Sequence, residues 1–333
     1  FWLTWLDMRA ADGWLGIGYA VLAWVMASVG RWLARQDTEG ASDAPLPWYV
    51  VAVLCSVAGP SIAGWYGEKL LLALTLLSGA ALYFSYAVLF RCRWWLVPGG
   101  LVLPGGYLLV LEHLGLPPDP LATSLVLVPA AYLLISIWLT EWRGVAVRFL
   151  MPLRATAHLV ALAAFGWSLG RGWAGTDAAR IWAAAGQLTL GAAYGVMGWY
   201  TSHEAWGHIA AWLGLCAGGL IAVAYSRGQG SSAAKTALLA ILYVGAERTL
   251  HTLRARQTAA RAWSIYHRPL LVAGWAVSGI AVALALLRNL WLLGGGPVRE
   301  NWAIAALLLT VVLYATSARL FHRPLFLWLA ASL

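Results

Sequence analysis

Leu70 to Phe90 is an unbroken stretch of 21 residues without a charged side chain. At about 1.5 Å rise per residue, a helix of that length covers the roughly 30 Å hydrocarbon core of a bilayer. Backbone at that depth has to satisfy its own hydrogen bonds, so helix is the expected state. Arg91-Cys92-Arg93 follows at once, then Trp94 and Trp95, then a second apolar run to Glu112. Arginines are costly inside lipid and mark an exit into water, and tryptophan rings favour the headgroup boundary. Lys69 to Glu112 therefore reads as a helical hairpin, two spans joined by a tight cationic turn.

The pattern recurs along the chain. Trp14 to Ala34, Pro47 to Trp65, Leu121 to Thr140, Ala155 to Gly170, Ile181 to Tyr200, His208 to Tyr225, Leu270 to Leu287 and Trp302 to Ser317 are further runs, and another begins near Ala233. With the hairpin these make eleven, and the pieces at the two ends extend the count to about 11–12 spans. The run from Ala233 loses its apolar character at Glu247-Arg248, and the sequence predicts that it continues past Arg254, Arg256 and Arg261 as an amphipathic surface helix. A single apolar run would suit the core of a soluble enzyme. Eleven do not, because only 11% of the residues are charged, against roughly 25% in soluble domains. The expected fold class is all-α, a polytopic transmembrane protein forming a single membrane domain over residues 1–333.

The net charge of +9 comes from basic residues placed one to three at a time in most of the turns. That distribution points to the lipid bilayer and its anionic headgroups as partners and gives no nucleic-acid signal. Cys55, Cys92 and Cys216 are odd in number and far apart, so no disulfide framework is expected. Phe1-Trp2-Leu3-Thr4-Trp5-Leu6 looks like the tail of a helix, and Pro324 to Leu333 is too short to cross, which suggests a piece of a longer polytopic protein.

An internal repeat is also predicted. Every odd-numbered run carries a tyrosine: Tyr19, Tyr83, Tyr132, Tyr194, Tyr243 and Tyr314. Tyr83 and Tyr194 are 111 residues apart, as are Tyr132 and Tyr243, Trp95 and Trp206, and Arg143 and Arg254. The spacing defines parallel units of about 112 residues, two hairpins each, at 14–120, 121–231 and 232–333. Small residues such as Gly79-Ala80-Ala81 and Gly191-Ala192-Ala193 would bring the backbones together.

Two stretches are candidate sites. Pro98-Gly99-Gly100 and Pro104-Gly105-Gly106 sit in the fourth run and would either break the helix, freeing carbonyls for a ligand, or kink it against a neighbour. His203-Glu204-Ala205-Trp206-Gly207-His208 superficially resembles a zinc-protease signature. The histidines are five apart instead of four, and Gly207 suggests a turn, so a wet interfacial turn is the expectation, with no metal. Mid-run histidines for a pigment are missing and no acidic residue falls in mid-span, so neither a cofactor nor an ion relay is expected.

The general pattern resembles large many-span bacterial membrane proteins built from repeated hairpins. The expected function is a non-catalytic scaffold or assembly component of the plasma (cytoplasmic) membrane. The alternatives are a transporter or flippase for an apolar or lipid-linked substrate and the membrane segment of a glycosyl- or acyltransferase. Counting Arg31 at the end of the first run, fourteen of the 22 lysines and arginines fall at the turns after odd-numbered runs, which the positive-inside rule places in the cytoplasm. A single cysteine introduced between Arg35 and Leu46 of a cysteine-free variant is expected to react with an impermeant maleimide only from the cytoplasmic side; labelling from outside intact cells reverses the orientation.

Overall fold

A computed structural model describes residues 9–36, 45–65, 67–141, 148–226, 231–255, 260–291 and 297–333. Among these residues the chain is all helical, with no strand. The helices are α1 (Arg9–Gln36), α2 (Leu46–Trp65), α3 (Lys69–Leu89), α4 (Leu96–His113), α5 (Pro118–Ser124), α6 (Leu127–Glu141), α7 (Leu150–Ala174), α8 (Asp177–Thr201), α9 (Glu204–Ala224), α10 (Ser232–Ala255), α11 (Ala260–Ala283), α12 (Pro297–Phe321) and α13 (Pro324–Ser332). A π-helical segment, Leu284–Trp291, continues from α11.

Nine stretches among the described residues are long and apolar enough to cross a membrane, fewer than the eleven expected. The two that fall short are α8 and α10, with 25 and 24 residues respectively. They are long enough, but polar residues such as Asp177, Arg180, Gln187, Lys235 and Glu247 dilute their hydropathy. Gln187 and Glu247 are wholly buried, so they face protein. The face of a helix that is turned to protein does not need the apolar character that lipid would demand.

The fourth run is a continuous helix, α4, through both Pro-Gly-Gly triplets, so of the two outcomes expected there it does not break. Two further expectations change. The fifth is the one that breaks, into α5 and α6, with Leu125 and Val126 between them. Pro129 gives the reason, since its ring clashes with the carbonyl four residues earlier, at Leu125. The ninth run ends with α10 at Ala255, and α11 starts at Ala260, ten residues before the expected Leu270. Residues 256–259, which include Arg256, lie outside the described residues.

The chain forms two compact units, Phe1–Val160 and Ala161–Leu333. In the first, α1 packs on α2, α2 on α3 and α3 on α4. A core cluster of Ala23, Ala27, Ala52, Cys55, Leu82 and Tyr86 joins α1, α2 and α3. The α1–α2 contact depends on two glycines: a methyl group on Gly16 would lie 2.7 Å from the carbonyl oxygen of Gly59, and one on Gly59 would lie 2.8 Å from that of Gly16. In the second unit α8 packs on α9, α10 on α11, and α12 on both α10 and α13. Alanine again dominates the contacts, through Ala183, Ala184 and Ala217 in one cluster and Ala233, Ala234, Ala285, Ala303 and Ala306 in another.

Gly16 and Gly18 are two residues apart on one helix, and nothing lies within 4 Å of a methyl group built on Gly18. Gly16→Ala is expected to destabilise by about 1–3 kcal/mol, because backbone faces backbone and neither side chain can yield. Gly18→Ala is expected to be neutral or to stabilise by up to about 1 kcal/mol through helix propensity. Thermal unfolding of both variants in one detergent checks the contrast.

Candidate functional site

The polar turn His203, Glu204, His208 lies between α8 and α9. Ser202 takes a left-handed φ of 57° and His203 is extended, so the chain reverses within two residues. Glu204 opens α9, where a carboxylate offsets the positive end of the helix dipole. Its Oε1 lies 3.4 Å from Nε2 of His208 one turn on, and its Oε2 lies 3.7 Å from the Arg268 guanidinium. His203 precedes the helix and does not join His208 on one face. Gly207 is not a turn residue, as the sequence suggested, but sits buried in the first turn of α9. A methyl group there would lie 2.6 Å from the carbonyl oxygen of Ile265, a carbonyl that Pro269 deprives of its usual helical donor.

A second polar pair stands close by in the fold, and sequence reasoning missed it. Glu247 on α10 is completely buried and accepts a hydrogen bond at Oε1 from Nδ1 of His267 on α11, at 2.7 Å. The other carboxylate oxygen, Oε2, has no partner among the described residues. His267 stacks on Trp263 with centroids 4.5 Å apart, and the Arg254 guanidinium lies 3.6 Å from the centre of that indole. Arg261 donates to the Tyr200 carbonyl and to Ser202 Oγ, both at 3.3 Å, tying α11 to the α8–α9 turn. The missed signal was periodic. Glu247 continues the buried stripe Ala233, Ala237, Ala240, Val244 at helical spacing, and so points into protein where a boundary residue would point outward.

A groove of about 520 Å³ runs between α9, α10 and α11, with Ala211, Tyr243, Thr249, Tyr266 and Leu270 in its walls; neither Glu247 nor His267 lines it. Both tyrosine hydroxyls are already engaged: Tyr243 donates to the Ala211 carbonyl at 2.7 Å and Tyr266 to the Gly195 carbonyl at 2.5 Å.

The Pro-Gly-Gly stretch of α4 is a set of packing notches. Pro98 lies in the first turn of the helix, where its missing N–H has no acceptor to serve. Pro104 leaves the Gly100 carbonyl without its helical donor, and the buried Tyr132 hydroxyl supplies one at 3.0 Å. Methyl groups on Gly99, Gly100 and Gly106 would come within 2.8 Å of Phe84, 2.6 Å of Thr156 and 2.9 Å of Leu77 respectively, while one on Gly105 would make only ordinary contact with Leu76. These carbonyls and notches are used by protein.

One hairpin geometry occurs three times. Tyr83, Tyr194 and Tyr314 are each followed eight residues later by a left-handed residue, Arg91, Ser202 and His322. Twelve residues after each tyrosine comes an aromatic ring that returns to it. Tyr83 and Trp95 lie 5.8 Å apart and nearly parallel, as do Tyr194 and Trp206, and Tyr314 and Phe326 lie 6.3 Å apart. Two of the hydroxyls meet serines, Tyr83 with Ser56 at 2.9 Å and Tyr314 with Ser278 at 3.0 Å. Trp95 thus packs inward against Tyr83 and Tyr86, while Trp94 is exposed as a boundary ring should be.

Removing His267 leaves the buried Glu247 carboxyl with neither oxygen hydrogen-bonded among the described residues, and an unsatisfied buried polar group costs about 1–3 kcal/mol, more if it is charged. His267→Ala is expected to destabilise by about 3 kcal/mol, and adding Glu247→Ala to recover part of that loss. A double-mutant cycle by thermal unfolding in detergent checks the coupling; additive losses rule it out.

No family model matches the chain, and comparison with curated proteins and with solved structures finds no match.

Proposed function

We propose that the chain is a multi-pass protein of the cytoplasmic membrane, assembled from parallel hairpin repeats, that serves as a non-catalytic scaffold or assembly component. The observation that carries this is the use of polar and aromatic side chains as clamps between helices. Tyr83–Trp95, Tyr194–Trp206 and Tyr314–Phe326 close three hairpins with one geometry. Tyr132 and Tyr243, 111 residues apart, each cap a carbonyl 32 residues earlier, at Gly100 and Ala211. A repeat that retains its clamps selects for stacking units, the requirement of a scaffold. Units holding an even number of spans keep one orientation, with the odd-numbered turns in the cytoplasm and their basic residues toward anionic headgroups.

A second reading is transport of an apolar or lipid-linked substrate. It is favoured by the groove between α9, α10 and α11 and, separately, by the buried Glu247 carboxylate, with one oxygen unmatched among the described residues.

The two readings separate in one preparation. Tagged protein extracted from native membranes in mild detergent is expected to carry a stoichiometric partner, and proteoliposomes of the purified chain are expected to show no flux of apolar or lipid-linked solutes above empty vesicles. A chain that purifies alone and moves such a solute, with loss of flux in Glu247→Gln, reverses the assignment.

A further inference from the structure

We propose that one end of the second unit, where α10 turns into α11, is a headgroup-binding surface that concentrates anionic phospholipid beside it. The inference deepens the membrane reading above, on which it rests, and is independent of the choice between scaffold and transporter.

The charge of the chain is not shared between its units. Phe1–Val160 holds nine basic and nine acidic residues and Ala161–Leu333 thirteen and four, so the second unit carries the whole net charge of +9. Arg248, Arg254, Arg256, Arg261 and Arg268 fall within 21 residues that contain no carboxylate. Arg256 lies outside the described residues. The end of α12 adds two more. α10 and α12 run in the same direction, since Ala233 and Ala234 cluster with Ala303 and Ala306, and Ala240 and Val244 with Leu313. Arg319 and Arg323 therefore stand at the same end as Arg248 and Arg254. The α8–α9 turn is there too, tied down by Arg261.

Carboxylates do not cancel this charge. The second unit has four, of which Asp177 and Glu300 stand near the starts of α8 and α12, at the opposite end. Glu204 is held by His208 and Arg268, and Glu247 is buried against His267. The helix dipoles offset one another, since α8, α10 and α12 end here and α9, α11 and α13 begin here. Seven arginines thus meet two carboxylates, both already engaged. At the opposite end Arg180 pairs with Asp177, and Lys235 donates to the Tyr225 carbonyl.

The aromatic residues say which anion. Arg254 lies 3.6 Å from the ring centre of Trp263, and Arg261 lies 5.2 Å from that of Trp199. A guanidinium stacked on an indole has its plane fixed and its N–H edge turned outward, the fork that suits two phosphate oxygens. Trp199 and Tyr200 are exposed, and such rings settle at the headgroup boundary, which sets these arginines at phosphate depth. His251 to Ala255, the last five residues of α10, are all exposed, and Leu253 is among them. An apolar side chain between arginines suits a phosphate layer with hydrocarbon beneath it.

The whole chain carrying the photo-crosslinker Leu253→p-benzoylphenylalanine, reconstituted in vesicles of phosphatidylglycerol and phosphatidylcholine in equal amounts, tests the surface. Crosslinked phosphatidylglycerol is expected to exceed phosphatidylcholine about fivefold or more, the worth of one arginine at a membrane surface. Arg248→Gln with Arg319→Gln removes two guanidinium groups that have no ring stack or carboxylate partner among the described residues. The pair is expected to lower the ratio about threefold or more, with the thermal midpoint unchanged. Arg91→Gln with Arg93→Gln, the same charge change in the first unit, is expected to leave the ratio as it was. Sodium chloride at about 1 M, where the screening length is about 3 Å, is expected to bring it close to one. A ratio near one at low salt, or one that survives Arg248→Gln with Arg319→Gln, overturns the proposal. Loss of the preference to millimolar inorganic phosphate at constant ionic strength does so by showing a free-anion site, and a crosslink to an acidic protein in native membranes does so by showing a protein interface. A chain that stays soluble and monodisperse without detergent overturns the membrane reading instead.

Discussion

Every carbonyl that a proline or a bend sets free in these helices has to find a donor inside the protein. The outward faces are leucine, valine and tryptophan, and in the proposed bilayer there is no water to take up the bond. The structure meets that demand locally. Tyr132 reaches the carbonyl that Pro104 strips of its donor, and Tyr243 donates to the Ala211 carbonyl in α9. Serines and threonines bond back to their own helices throughout, as Ser136 does to Leu133 and Thr310 to Ala306. Prolines are tolerated in such helices because neighbours repair what they break, and each repair fixes the neighbour's position.

The same demand explains where polarity is buried. Gln187 donates to Ser168 at 2.7 Å and Glu247 accepts from His267, both across helix pairs within the second unit. Each pair lowers the hydropathy of the helix that carries it, which is why α8 and α10 fail a length-and-composition criterion that shorter helices pass. Exposed ion pairs contribute much less. Lys69 and Glu112 bridge the start of α3 and the end of α4 at 2.6 Å, yet a solvent-exposed pair is worth only about 0–1 kcal/mol. Fixing α10 against α11 falls to the buried pair.

Reading the hairpins from the chain worked where chemistry and spacing coincide. Tyr83 and Trp95 recur as Tyr194 and Trp206 at a fixed offset, and their rings stack in both places. The third instance was hidden, because Phe326 replaces the tryptophan and the offset from Tyr194 to Tyr314 is 120 residues. Glu247-Arg248 marks the loss of apolar character along the ninth run, yet the register of Glu247 with Val244 and Ala240 puts it on the inner face. Pro98 to Gly106 offered either a break or a kink against a neighbour, and α4 runs through it unbroken: a proline in a first turn costs little, and a glycine facing a ring is a notch. The break falls in the fifth run, between α5 and α6.

Composition and periodicity by themselves determined that this chain is helical and that most of its helices are long and apolar enough to span a bilayer. Those properties follow from single stretches, each of which must satisfy its own backbone. Only the tertiary structure decided which polar groups face one another: His267 with Glu247, Tyr132 with Gly100, Gln187 with Ser168. Such pairings depend on how neighbouring helices rotate and slide until small residues meet, and that rotation is a property of the packed interface, written in no single helix.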